Sequence, residues 1–212
     1  MRSREYNKRE CKNNELAPAN YLIICEGTKT EPNYFNEIKE KIQNKYRDKV
    51  DVLVPKIKVE GTGRNTISLA DYTKRMINYK NKIYGQVWIV FDKDYYTDEQ
   101  FNSAIRKYDY NVAWSNPSFE LWLLSHFKRI DRQMTQAEAE KELDKVFIKK
   151  KIGGYNKNDK NIFSKVTTNG SLKKAIENCE YMEELDKDKQ PAQRNPMTKV
   201  YKIVKELKQY IV

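Results

Sequence analysis

Two short apolar runs, Tyr21-Leu22-Ile23-Ile24-Cys25 and Val87-Trp88-Ile89-Val90-Phe91, constrain the fold of this chain more than any other feature. Neither alternates polar with apolar residues, and such a run marks a strand covered on both faces, the kind found inside a parallel sheet. Each ends abruptly in acid, the first in Glu26-Gly27 and the second in Asp92-Lys93-Asp94. The carboxyl ends of parallel strands open onto the crevice where α/β sheets hold ligands. Three carboxylates gathered there repel one another unless a cation lies between them. Glu26, Asp92 and Asp94 all offer hard oxygen, so the expected ion is magnesium, with manganese as its substitute.

Around these runs strand and helix alternate four times. A helix follows Gly27-Thr28-Lys29-Thr30-Glu31-Pro32, and residues 51–59 read as a second strand whose Pro55 places it at an edge or a bulge. Gly61-Thr62-Gly63 then breaks the chain before a helix striped by Leu69, Tyr72, Met76 and Tyr79. Thr97 with Gln100 forms a capping box, residues 111–115 make a fourth strand, and a helix runs from Ser118 to Phe127. This order predicts an α/β fold with a mainly parallel four-stranded sheet flanked by helices.

Beyond Lys128 the pattern is helical only. Thr135 and Glu138 cap one helix, Leu172 to Met182 stripe another, and Val200 to Ile211 stripe the last; residues 186–197, with Pro191 and Pro196, read as a loop. Three regions result: a charged, flexible 1–19, an α/β core over 20–128, and a basic helical extension over 129–212 packed on that core.

The spacing of Asp92 and Asp94 adds chemistry to this frame. Two residues apart in extended backbone, they point to one side while Lys93 points away. Glu26 arrives from a neighbouring strand as third ligand or as general acid or base, and Gly27 allows close backbone approach behind it. Glu120 sits in Phe119-Glu120-Leu121-Trp122-Leu123-Leu124, apolar nearly all round, where a carboxylate is costly unless paired or bound to metal. Lys29 lies in the loop over the crevice, where it reads equally as a group that binds phosphate or steadies the charge of phosphoryl transfer and as an ordinary solvated loop lysine. His126 reads as a helix-end packing residue. Gly61-x-Gly63-Arg64 lacks the full spacing of a phosphate loop and reads as a turn.

Charge points to a polyanionic partner. The chain carries a formal net charge of +11 and 15 tyrosines, and residues 128–174 hold thirteen basic against six acidic side chains. Within that segment Lys149, Lys150, Lys151, Tyr155 and Lys157 are the expected contacts to a nucleic-acid backbone. The competing reading is an ordinary solvated surface. Cys11, Cys25 and Cys179 lack any C-x-x-C spacing, which argues for a reducing compartment and against a structural zinc. With no apolar stretch of membrane-spanning length and no signal-like core, the expectation is a cytoplasmic protein without membrane contact. Self-association is compatible with the sequence.

The acids carry a resemblance. Glu after the first strand and Asp-x-Asp after the third, here Glu26, Asp92 and Asp94, resemble the Toprim fold. Ile24-Cys25-Glu26-Gly27-Thr28-Lys29-Thr30-Glu31-Pro32, then Phe91-Asp92-Lys93-Asp94, then Ser115-Asn116-Pro117-Ser118-Phe119-Glu120-Leu121-Trp122-Leu123-Leu124 resemble the RloB-like family, also seen in AbiLii abortive-infection proteins. The likeness runs from about residue 20 to the C-terminus. It implies a magnesium-dependent nuclease acting on DNA or RNA in prokaryotic anti-phage defence, encoded beside a partner ATPase. The alternative is a non-catalytic nucleic-acid-binding or sensor subunit that controls such an ATPase.

Overall fold

The computed structural model of the chain describes residues 20–48, 56–80, 84–93 and 96–211. Its centre is a five-stranded sheet in the order β2-β1-β3-β4-β5. The strands are β1 (Tyr21–Cys25), β2 (Ile57–Gly61), β3 (Gln86–Asp92), β4 (Asn111–Asn116) and β5 (Met197–Thr198). The first four are parallel, and β5 runs antiparallel against the end of β4. This is the expected α/β arrangement, consistent with a Toprim-like sheet, with one strand more than the sequence predicts. A two-residue strand is too short to show alternation, and Met197–Thr198 pair only with Ser115 and Asn116.

All five residues of β1 are buried, as its unbroken apolar run requires. The second strand spans Ile57–Gly61 among the described residues, two residues past its expected end; residues 51–55, Pro55 among them, lie outside the described residues. From β1 the chain crosses to β2 on one side and later to β3 on the other, so the direction of winding reverses between β1 and β3. Ligands of open α/β sheets bind at that switch point. Glu26 and Asp92 stand there.

Helices α1 (Thr30–Lys45), α2 (Thr66–Lys80), α3 (Asp98–Lys107), α4 (Glu120–Ser125), α5 (Gln136–Lys149), α6 (Ile162–Asn169), α7 (Leu172–Leu185) and α8 (Val200–Ile211) surround the sheet. Helix α1 packs on α6 and α8, α2 on α3, and α4 on α5 and α7. Both expected capping boxes form, Thr97 with Gln100 and Thr135 with Glu138. In α2, Leu69 and Met76 are buried as the stripe requires, and Tyr72 is half-buried. Helix α4 is shorter than predicted, and residues 191–193 within the expected loop form a 3-10 turn.

One aromatic cluster ties the C-terminal helices to the site. Tyr34 of α1 meets Phe119, Trp122 and Phe163 edge-on, with ring centroids 5.5, 6.3 and 5.3 Å apart. All four side chains are buried. Edge-to-face pairs of this kind add about 0.5–1.5 kcal/mol each beyond the area they bury. They lock the start of α4, and with it Glu120, against α1. Among the described residues no helix is long and apolar enough to cross a membrane.

Candidate active site

Glu26 follows β1 directly, and its backbone N–H donates to Val90 O at 2.9 Å, so the residue is fixed to β3 before its side chain does anything. Its Oε1 accepts the Tyr96 phenol at 2.8 Å and its Oε2 accepts the Asp92 backbone N–H at 3.4 Å. The first and third strands thus bring Glu26 and Asp92 into contact, as their sequence positions predict. Asp94 lies outside the described residues.

Asp92 reaches from the end of β3 to the start of α4, where its Oδ2 accepts the Phe119 N–H at 3.0 Å. Its Oδ1 is sealed from solvent and has no hydrogen-bond partner among the described residues. Burial pushes the Asp92 carboxyl well above the usual carboxylate range. The charges of Glu31 and Glu120 push it further, the Phe119 N–H draws it back, and Glu26 adds to the rise.

Glu120 joins from α4 with both oxygens held. Ser118 Oγ donates to Oε2 at 2.6 Å, and the Tyr155 phenol donates to Oε1 at 2.6 Å. A buried carboxylate tolerates an apolar helix when it is satisfied in this way.

A fourth acid completes the cluster. Glu31, in the first turn of α1, is buried, and its carboxylate occupies the space beside Gly27: a Cβ there would lie 2.4 Å from Glu31 Oε2. The backbone does approach closely behind Glu26, Gly63 N–H donating to Glu26 O at 2.8 Å, and Gly27 has a further use. It makes room for Glu31. Burial pushes the Glu31 carboxyl up to about 7; its own backbone N–H opposes this, Glu120 and Glu26 reinforce it, and the Gly27 N–H opposes it again. In the sequence Glu31 reads as an acid in a first helical turn, where it suits the helix dipole. The signal that it does more is its nearness to Glu26 across a loop ending in Pro32.

The four acids border a cleft of about 240 Å³ whose lining also includes Lys29 and Lys157. Lys29 is exposed at the mouth, as its loop position predicts. Tyr155 and Lys157 are not on an open basic surface. Tyr155 is half-buried, its phenol also meets Thr30 Oγ1 at 3.2 Å, and burial together with the charge of Glu120 pushes that phenol upward. Lys149, Lys150 and Lys151 are exposed at the end of α5 and line no part of the cleft. The expected nucleic-acid set thus divides into two places. The Gly61–Arg64 turn is stitched to β1, Thr62 N–H donating to Cys25 O and Gly63 N–H to Glu26 O, and it supports the site from behind. His126 is buried, with Nδ1 3.0 Å from Trp122 O and its ring packed on Trp122.

The model of the RloB-like protein family matches residues 21–207, almost the whole described chain. The chain belongs to the RloB-like family. No curated protein and no solved structure matches it.

The RloB-like site can be tested for its fit to a hard cation. The donors are all oxygen, Asp92 Oδ1 has no partner among the described residues, and burial, with like charges adding to it, drives two of the four acids toward protonation; a divalent ion would answer each of these. Against this, no three acid, His or Cys side chains among the described residues converge closely enough to form a ready-made ligand sphere. The chemistry fits magnesium, and the carboxylates would have to close around it.

Proposed function

We propose that this RloB-like chain is a magnesium-dependent nuclease of Toprim type, acting on DNA or RNA in anti-phage defence alongside a partner ATPase. The observation that carries the reading is the sealed Asp92 Oδ1 at the switch point, unpartnered among the described residues, with Glu26 in contact and Glu31 and Glu120 in the same cleft. A basic chain of net charge +11 suits a polyanionic substrate. The defence role and the ATPase partner rest on the family resemblance.

Asp92, Glu26 and Glu120 would hold the ion, with Asp94 joining from beyond β3. A divalent ion so held supplies a Lewis acid for the phosphoryl oxygens and a water of lowered pKa. Tyr96 and Ser118 hold the carboxylates of Glu26 and Glu120 at the cleft, and these hydrogen bonds would yield as the carboxylates close on the ion. Lys29 at the mouth meets the phosphate, and Lys149–Lys151 hold backbone farther along the strand.

The test is cleavage of labelled single- and double-stranded DNA and RNA with magnesium, with manganese and with chelator. Folded Asp92→Asn and Glu26→Gln proteins should fall to background. Cleavage by Asp92→Asn equal to the parent would end the nuclease reading. One rival is a non-catalytic nucleic-acid-binding or sensor subunit. That rival predicts no cleavage by the parent and unchanged nucleic-acid or ATPase binding in Asp92→Asn.

A further inference from the structure

Lys157 stands between two carboxylates, one inside the cleft and one outside it. Its Nζ is 2.5 Å from Glu140 Oε1 and 3.8 Å from Glu120 Oε1. Glu120 lines the cleft and Glu140, on α5, does not. Burial lowers the lysine's proton affinity, but Glu140 and Glu120 together outweigh it and raise the net value, so the ammonium stays charged.

The backbone around Lys157 is pinned. Asn33 Nδ2 donates to Lys157 O at 3.4 Å, and two residues earlier the Tyr155 N–H donates to Asp144 Oδ1 at 2.8 Å. The Tyr155 phenol is itself anchored on Glu120. What can travel is the lysine side chain, four methylenes long and ending at the rim. Its pair with Glu140 is well exposed, with 42% and 34% of the two side chains open to solvent, and exposed pairs are weak. A phosphodiester in the cleft would offer a stronger, charge-assisted acceptor in a drier setting.

We propose that Glu140 is a latch on Lys157: it holds the ammonium at the rim until a phosphodiester occupies the cleft, whereupon Lys157 transfers from Glu140 to a non-bridging phosphate oxygen. The exchange makes and breaks only ion pairs. It rests on the nucleic-acid reading above, since it needs a phosphate in the cleft. Glu140 then sets substrate affinity without touching substrate.

The experiment is fluorescence anisotropy of a short labelled single-stranded oligonucleotide, as DNA and as RNA, with calcium replacing magnesium so that cleavage does not intervene. Lys157→Met should weaken binding about tenfold, the loss of one charge-assisted contact. Glu140→Gln should strengthen it about threefold, the release of one exposed ion pair. In the Lys157→Met background, Glu140→Gln should have no effect. That double variant separates the latch from a general gain of positive charge, which would strengthen both backgrounds alike. The latch is overturned by a Glu140→Gln protein that binds no tighter than the parent, or by a gain that survives Lys157→Met. A parent that binds neither oligonucleotide removes the nucleic-acid reading and the latch with it. A parent that binds, with all variants equal to it, removes the latch alone.

Discussion

Replacing Glu31 with Gln should stabilise the protein in the absence of divalent ions, and the size of the effect follows from the site. The Glu31 carboxyl is pushed from its ordinary 4.5 up to about 7, chiefly by burial. The folded protein therefore binds a proton that the unfolded chain releases over this range, and stability falls as pH rises from about 4.5 to about 7. Above that window the full penalty applies. A displacement of this size corresponds to about 3 kcal/mol. Gln keeps the shape and still accepts a backbone N–H, so Glu31→Gln should gain up to about 3 kcal/mol at pH 8 and close to nothing at pH 4.5. Urea unfolding in chelator at both pH values measures this directly. Magnesium should narrow the gap at pH 8, because it relieves in the parent what the substitution removes. Equal stability of variant and parent at pH 8, or a gain of the same size at pH 4.5, would refute the account of a charge-strained acid cluster.

Other residues report on the same architecture. Gly27→Ala places a Cβ 2.4 Å from Glu31 Oε2, so the carboxylate end must move aside; manganese affinity by calorimetry should fall about tenfold, while urea unfolding shows a loss within the ~1 kcal/mol typical of point changes. Phe163→Ala removes the ring through which α6 meets Tyr34 and should cost about 3–5 kcal/mol in the same unfolding experiment. Burial pushes His126 down to about 4. As the single histidine in the chain, its ring resonance should titrate there by NMR and not near 6.5, with stability attributable to it lost as pH falls from about 6.5 to about 4.

The sequence speaks clearly where burial on both faces leaves no choice of residue. The apolar runs of β1 and β3 are legible for that reason, and the acids after them follow from the parallel topology. Thr97 and Thr135 are legible because a capping box is local chemistry. Helix α6 is harder to see: Ile162, Phe163 and Val166 have helical spacing, but they follow a stretch of Asn, Lys and Asp that reads as loop. Strand β5 exists only by pairing with β4. Glu31 and Tyr155 show the limit for the site. Each has an ordinary local explanation, an acid at a helix start and an aromatic in a basic segment, and only tertiary packing brings them to Glu120 and Gly27.

The most direct measurement is a crystal structure soaked in manganese, read by anomalous scattering. A cation held by these acids predicts a peak about 2 Å from Asp92 Oδ1, with oxygens of Glu26 and Glu120 drawn toward it. A cleft without a peak, with the Glu26 and Glu120 carboxylates still on Tyr96, Ser118 and Tyr155, would contradict it.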